Sequence, residues 1–154
     1  YETVYRDLYH YALCLMKNPQ EAEDAVSEAV VAAYENIHKL KKEEAFRSWI
    51  FTILTNKCKK RLKKASKESP GNEEEFPEQS IAPDYDLAID VKKAFFVLSE
   101  EEQILVGLSV FGGYGSQEIG DMMKLNPNTV RSKRSRALRK MECVLGGYKE
   151  KRMQ

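Results

Sequence analysis

The chain has 154 residues, of which 42% are hydrophobic and 32% charged, and its formal net charge is +1. This composition is typical of a soluble protein of one domain or two small ones, and no apolar run approaches the ~18 residues of a membrane-spanning helix. Catalytic motifs such as GxSxG and HExxH are missing, and His10 and His38 complete no metal-ligand spacing with Cys14, Cys58 and Cys143. The sequence therefore predicts that the protein is not an enzyme, that it binds no metal or cofactor and that it does not insert into a membrane. We expect its three thiols to be reduced and the protein to lie in the cytoplasm.

The small net charge hides a separation of charge along the chain. Residues 1–64 carry 12 basic and 9 acidic side chains, residues 65–86 carry 1 and 7, and residues 87–154 carry 12 and 8. Two basic blocks with an acidic stretch between them predict two modules that face nucleic acid. We place the domains at 1–64 and 84–154. Residues 65–83, rich in Ser, Pro, Gly and Glu, are predicted to be a flexible acidic linker.

The N-terminal block begins with two predicted helices. The first is amphipathic and runs from Tyr1 to Met16. Asn18 as N-cap and Pro19 in the first turn begin the second, which runs to about Asn36. One side of the second helix is apolar and includes Ile37, whereas the other is acidic around a single valine. This second side comprises Asp24, Ser27, Glu28, Val31 and Glu35. It is either an ordinary solvated surface or a surface that docks on a basic helix, and the pattern alone favours neither.

A polar loop from Ile37 to Glu44 leads into a third predicted helix, from Ala45 to Lys64. Its predicted buried stripe is Phe46, Trp49, Ile50, Ile53 and Leu54. Its opposite side is Ser48, Thr52, Thr55, Asn56, Lys59 and Lys63. The helix ends in six positive charges, Lys57, Lys59, Lys60, Arg61, Lys63 and Lys64, which exceed what a helix dipole needs and indicate contact with phosphate. Trp49 is suited to stacking on a base, but its place in the stripe favours the core.

The C-terminal block begins with two predicted helices. The first begins near Asp84 and ends at Leu98. Ser99 and Glu102 have the spacing of a capping box for the second, which ends near Phe111.

Residues 115–140 have the pattern of a helix-turn-helix. Ser116 is predicted to be the N-cap of a short helix, and Pro127 is predicted to lie in the first turn of the next. The last helix has six basic residues and no acid up to Lys140. Its predicted apolar side is Val130, Ala137, Leu138, Met141, Val144 and Leu145. An ordinary surface helix would mix Glu with Lys at i,i+4, so the basic side favours DNA.

These patterns together resemble the extracytoplasmic-function group of bacterial sigma factors. The residues that resemble sigma domain 2 are AEDAVSE at 22–28, FRSWI at 46–50 and Asn56. The residues that resemble sigma domain 4 are LSE at 98–100, Ile119, Gly120 and NTVRSKRSRA at 128–137. Two separate motifs in the right order make the resemblance specific.

The resemblance implies an all-helical, two-domain promoter-specificity subunit for a stress or cell-envelope regulon. Its implied partners are core RNA polymerase, promoter DNA in duplex and melted form, and an anti-sigma factor. The implied polymerase-binding residues are Asp24, Ser27, Glu28, Val31 and Glu35. The implied minus-ten residues are His38, Lys39, Lys41, Ser48, Thr52, Asn56, Lys59, Lys60 and Lys63. The implied minus-thirty-five residues are Ser116, Asn128, Thr129, Arg131, Ser132, Ser135, Arg136, Arg139 and Lys140.

The chain departs from the family pattern at four positions. Ser27 replaces a usual Gln, which predicts weaker docking, and Lys60 stands where Asp is frequent. Lys124 replaces a small residue in the helix-turn-helix turn, which predicts a strained or wider turn. Arg134 replaces a usual Leu beside the apolar stripe and is expected to extend outward along its aliphatic stem.

Two alternative functions stay open at this point. One is a helix-turn-helix regulator that does not dock on polymerase, for which the acidic face of residues 24–35 would have no use. The other is a pure protein-interaction module, against which the basic last helix argues.

Overall fold

A computed structural model describes residues 2–68 and 92–152, which form two compact units, one in each range. Both units consist of helices and turns, and no strand occurs in either range. The all-helical prediction is therefore confirmed for these residues. Most of the predicted linker, and the predicted start of a helix near Asp84, lie outside the described residues.

Three helices pack against one another in the N-terminal unit: α1 (Glu2–Met16), α2 (Pro19–Glu35) and α3 (Phe46–Glu68). Two turns of 3-10 helix, Ile37–Lys39 and Glu43–Ala45, occupy the predicted polar loop. Helix α3 continues through the first four residues of the predicted linker. These residues tolerate helix, and the first strong helix breaker in the sequence is Pro70.

The predicted restart between α1 and α2 is confirmed. The Asn18 side-chain oxygen accepts hydrogen bonds from the backbone N–H groups of Gln20 at 2.9 Å and Glu21 at 3.2 Å. Pro19 is the first residue of α2, where its missing N–H leaves no helical hydrogen bond unmade. The chain thus reverses within two residues, and α2 packs against α1.

Tyr11 organises the core of the N-terminal unit. Its ring meets the ring of Phe51 edge-on, with the two centroids 5.5 Å apart. Its hydroxyl lies 2.7 Å from the Thr55 hydroxyl, which also bonds the Phe51 carbonyl at 2.8 Å. Burial raises the pKa of Tyr11 far above its ordinary range. The Tyr11 hydroxyl therefore stays neutral and has a partner inside the core.

The buried stripe of α3 is rotated from the predicted one. The residues that are fully buried are Ile50, Phe51, Leu54, Thr55 and Cys58. The predicted core residues Phe46, Trp49 and Ile53 are only half-buried. Thr55 was predicted on the solvent side, and that prediction is wrong because Thr55 supplies the partner of Tyr11. Ile37 was predicted with the apolar side of α2, but it lies beyond the helix end and is 48% exposed.

Three helices also form the C-terminal unit: α4 (Glu100–Val110), α5 (Ser116–Met123) and α6 (Pro127–Arg152), preceded by a helical run at residues 92–96. The predicted capping box begins α4, since Ser99 Oγ accepts from Glu102 N at 3.2 Å and Glu102 Oε1 accepts from Ser99 N at 3.0 Å. The core side chains of this unit are Ala94, Phe95, Leu98, Ile104, Leu105, Val106, Leu108, Ile119, Val130 and Ala137.

The helix-turn-helix turn depends on two backbone features. Gly120 lies against the turn so closely that a Cβ there would be 2.7 Å from the Leu125 carbonyl oxygen. Lys124 ends α5 in the left-handed conformation, with φ 59° and ψ 47°. A Cβ costs free energy in this conformation, so the expected strain at Lys124 is present. Asn126 then caps α6, as its side-chain oxygen accepts from Asn128 N at 2.8 Å.

Two predictions about this unit are wrong. Ser116 is the first residue of α5 rather than its N-cap, which is Gly115, and the Glu118 carboxylate accepts a hydrogen bond from Gly115 N at 3.3 Å. Leu138 is 47% exposed because it lies about 80° around α6 from Val130, at the edge of the apolar side. Pro127 does lie at the start of α6, as predicted.

Candidate functional site

The side of α2 opposite the core carries the predicted docking residues. Stepping α2 at 100° per residue places Val31 at the centre of this side, and its side chain is 55% exposed. Around Val31 lie half-buried Asp24 and exposed Ser27, Glu28 and Glu35. The structure adds Tyr34, which is 82% exposed and lies three residues beyond Val31. We call these six residues the docking face, which has an apolar centre and an acidic rim.

Arg61 links α3 to α2 and changes the charge of both helices. Its Nη1 donates to Glu21 Oε2 at 2.7 Å, and its Nε and Nη2 donate to the two oxygens of Glu28. The Arg61 side chain is only 24% exposed. Its predicted role as one of the phosphate-facing charges is wrong, because the guanidinium is turned toward α2. Glu28 stays on the docking face, but Arg61 offsets its negative charge.

The other side of α3 faces solvent and carries the predicted minus-ten residues of this helix. We call it the basic face of α3: Ser48, Thr52, Asn56, Lys59, Lys60 and Lys63. The last four are exposed. Ser48 and Thr52 are half-buried and donate their hydroxyls to backbone carbonyls of Ala45 at 3.1 Å and of Ser48 at 2.8 Å. Both hydroxyl oxygens keep the capacity to accept a hydrogen bond.

Trp49 lies beside the basic face of α3 rather than in the core. It is half-buried, and its ring centroid is 6.3 Å from that of Phe46. In the loop before α3, His38, Lys39 and Lys41 are exposed, as their predicted role requires. A partly exposed aromatic ring next to basic side chains is suited to stacking on an unpaired base.

The solvent side of α6 carries most of the predicted minus-thirty-five residues. We call it the reading face: Asn128, Thr129, Arg131, Ser132, Ser135, Arg136 and Arg139. All of these are exposed except Thr129, which is half-buried. Arg131 Nη1 donates to Asn128 Oδ1 at 2.6 Å, and Arg136 Nε donates to the Ser132 carbonyl at 3.4 Å. Both guanidinium groups remain accessible for a base or a phosphate.

Two lysines of α6 are neutralised, contrary to the prediction of an unneutralised basic side. Lys133 forms an ion pair with Glu101, and Lys140 Nζ lies 2.9 Å from Glu102 Oε1. Glu102 is already fixed by the capping box. The hydrogen bond from Ser99 N, and after it that from Lys140, lowers the pKa of Glu102 below its ordinary value. These acids precede the helix-turn-helix in sequence, so inspection of α6 alone missed them.

Ser116 does not belong to the reading face. Its exposed fraction is 9%, and it lies in the first turn of α5 with the core residues Ile119 and Gly120. The burial of its side chain does not support the predicted contact of Ser116 with DNA.

Three further features of the described chain concern metal binding, membrane-spanning helices and thiol reactivity. In residues 2–68 and 92–152, no group of three or more His, Cys, Asp and Glu side chains is placed to hold a metal ion. The helices of these ranges include none long and apolar enough to cross a membrane. Burial raises the pKa of the Cys58 thiol to about 12, so the reactive thiolate form of Cys58 is scarce.

Comparison with known proteins supports the same assignment. The family model Sigma-70 region 2 matches residues 1–68, and Sigma-70, region 4 matches residues 93–141. The chain is 25% identical to ECF RNA polymerase sigma factor SigM of Mycobacterium tuberculosis, over 92% of this chain and 73% of SigM. It is 27% identical to RNA polymerase sigma factor SigV of Bacillus subtilis, over 91% of this chain and 85% of SigV.

A solved structure gives the same result for the fold. The sigma factor RpoE from Bartonella quintana, in a co-crystal structure with the anti-sigma factor NepR, matches with a TM-score of 0.78 and 25% identity. The match covers 93% of this chain and 92% of RpoE.

Two helical units with basic outer faces, one of them a helix-turn-helix, define a DNA-binding transcription factor. The ordered pair of family matches is more specific, and the chain belongs to the extracytoplasmic-function group of sigma-70 RNA polymerase sigma factors. It is thus the subunit that directs promoter recognition, DNA melting and transcription initiation with core RNA polymerase. This finding excludes the alternative function of a helix-turn-helix regulator that does not dock on polymerase.

Proposed function

We propose that the N-terminal domain, residues 1–64 extended by the end of α3, binds core polymerase through the docking face. The observation that carries this proposal is the exposure of Val31 and Tyr34 on the side of α2 that is turned away from the core. A large exposed apolar pair inside a charged rim is costly in a monomer and favourable in an interface.

The docking proposal is tested by charge reversal at the rim. Glu28 is left intact, because its reversal would break the ion pair with Arg61 and disturb the fold. Asp24→Lys combined with Glu35→Lys is expected to lower the affinity for core polymerase at least about tenfold, because like charges then face the partner. The matched control is Glu43→Lys with Glu44→Lys, which makes the same charge change at exposed positions outside α2.

The measurement is binding of labelled full-length chain to core polymerase without DNA. Equal affinities of the two double variants, with circular dichroism showing intact helices, would reject the docking face.

We propose further that the basic face of α3, with the exposed loop residues His38, Lys39 and Lys41, contacts the minus-ten element. We add Trp49, whose stacking on an unstacked base would contribute about 1–3 kcal/mol. Trp49→Ala is expected to slow promoter opening, reported by the fluorescence of 2-aminopurine in the minus-ten element, while Trp49→Phe retains most of the rate. If both variants open promoters at the wild-type rate, Trp49 has no part in melting.

We propose that the reading face of α6, in the C-terminal domain 84–154, contacts the minus-thirty-five element. Residues 69–83, the remainder of the predicted linker, join the two domains. The protein acts in the cytoplasm without a catalytic step of its own, and an anti-sigma factor covers its docking and DNA faces in the absence of a stress signal. The co-crystal structure of RpoE with NepR supports this regulation. Purification of the tagged protein from unstressed and stressed cells tests it, and polymerase as the sole partner in both conditions would contradict it.

A further inference from the structure

Lys133, Arg136 and Lys140 form one row on α6, on the flank that faces the start of α4. Stepping α6 at 100° per residue places the three within about 60° of one another. Ser99, Glu101 and Glu102 line the other side of a shallow groove along this row. The two lysines are paired with the two acids, whereas Arg136 bonds only weakly to the carbonyl of Ser132, at 3.4 Å.

The two ion pairs occupy Lys133 and Lys140 of α6, whose charges are best suited to sequence-independent binding of DNA. A lysine ammonium is a flexible point charge, which suits phosphate, while arginine has the planar fork that matches a guanine edge. Phosphate contacts raise affinity for every DNA sequence alike, and base contacts give preference. Because both lysines are held and Arg131, Arg136 and Arg139 remain exposed, the reading face presents arginine rather than lysine.

We propose that Glu101 and Glu102 limit sequence-independent DNA binding by occupying Lys133 and Lys140 in place of phosphate. The two acids lower the affinity of the C-terminal unit for promoter and non-promoter DNA alike, so that a larger share of the remaining affinity comes from base contacts. This inference rests on the proposed placement of α6 against the minus-thirty-five element.

The chain offers a matched set of variants for this proposal. Glu101→Gln removes one pairing charge, and Glu102→Gln removes the other while keeping a side chain that is compatible with a capping box. Glu100→Gln is the control. It makes the same charge change in the same first turn of α4, and Glu100 belongs to neither ion pair.

The experiment measures binding of each holoenzyme, assembled from core polymerase and full-length chain, to promoter and non-promoter duplexes at several salt concentrations. Glu101→Gln is expected to raise non-promoter affinity about threefold or more near 0.1 M salt. The slope of log K against log salt should steepen by about 0.9 for each lysine released. Glu102→Gln should act similarly, and in both variants the affinity for promoter DNA should rise by a similar factor, with the promoter preference unchanged.

Several outcomes would overturn the inference. An equal gain for Glu100→Gln would show a general charge effect. No gain for Glu101→Gln and Glu102→Gln would show that the pairs do not compete with phosphate. Weaker binding together with faster hydrogen exchange in α4 would show a purely structural role. A wild-type holoenzyme whose binding ignores the minus-thirty-five sequence would instead reject the proposed function itself.

Discussion

The two units hold their basic helices in different ways. In the N-terminal unit, α3 is fixed by a broad buried stripe around Phe51 and by the ion pairs of Arg61, which is half-buried. In the C-terminal unit, the part of α6 that carries the reading face buries completely only Val130 and Ala137 among the described side chains. The tight turn at Gly120 and Lys124 and two partly exposed ion pairs also hold this part of α6 in position. The position of α3 thus depends on core volume, whereas that of α6 depends on backbone geometry and surface charge.

The largest effect is expected from the core of the N-terminal unit. Phe51→Ala removes a fully buried ring that meets Tyr11, and it should cost about 3–5 kcal/mol of unfolding free energy. Hydrogen exchange of the full-length chain, read by mass spectrometry, should lose protection in α1 to α3 and retain it in α4 to α6. A loss below about 1 kcal/mol would contradict the proposed role of core volume.

The next largest effect should lie in the turn of the C-terminal unit. Gly120→Ala places a Cβ 2.7 Å from the Leu125 carbonyl oxygen, which is backbone and cannot move aside without opening the turn. We expect a cost of about 1–3 kcal/mol, measured by hydrogen exchange in α5 and α6. Gly146→Ala is the control in α6, since a Cβ there meets nothing within 4 Å, and it should stabilise by about 0.5–1 kcal/mol. Equal effects of both variants would show that the close approach is unimportant.

The ion pairs of the two units should differ in strength. Arg61→Ala removes the hydrogen bonds to Glu21 and Glu28, which are each 46% exposed, and we expect a cost of about 1 kcal/mol from the loss of the bidentate pairing. Lys140→Ala removes a side chain that is 52% exposed and should cost less than about 1 kcal/mol. Urea unfolding followed separately in each unit by hydrogen exchange gives both values. A larger loss of unfolding free energy for Lys140→Ala than for Arg61→Ala would contradict this expected order.

The smallest effect, and one of opposite sign, is expected at Lys124. Glycine adopts the left-handed conformation without the Cβ penalty, so Lys124→Gly should stabilise α5 and α6 by about 0.5–1 kcal/mol. Lys124→Ala keeps the Cβ and should give no such gain. If Gly and Ala behave alike at this position, the strain is relieved in solution.

The sequence predicted what depends on local patterns. The cap at Asn18, the capping box at Ser99 and the start of α6 at Pro127 each follow from neighbouring residues, and all three are confirmed. The burial of Thr55 was missed because its hydrogen-bond partner, the hydroxyl of Tyr11, belongs to a residue 44 positions away in the chain.

Long sequence separation also explains why the ion pairs of the candidate sites were not predicted. The partners of Arg61 lie 33 and 40 residues away, and those of Lys133 and Lys140 lie 32 and 38 residues away. Counting charges along one helix therefore overestimated what each face offers to DNA. Tyr34 was missed for a different reason. The predicted face was defined by the acidic residues of α2, and the aromatic residue on the same side was not included.

The most direct test concerns the reading face of α6. Holoenzymes that carry Arg131→Ala, Arg136→Ala or Arg139→Ala are compared in binding to a panel of minus-thirty-five variants at several salt concentrations. Arg131 and Arg136 lie toward the start of α6, where a groove-reading helix reaches bases, and Arg139 lies farther along. Loss of either of the first two should cost about 1–3 kcal/mol at one base pair and change the preferred sequence.

Loss of Arg139 should instead weaken all panel members alike and lower the salt slope by about 0.9. A uniform loss of affinity for the Arg131 and Arg136 variants, with the sequence preference unchanged, would contradict the account.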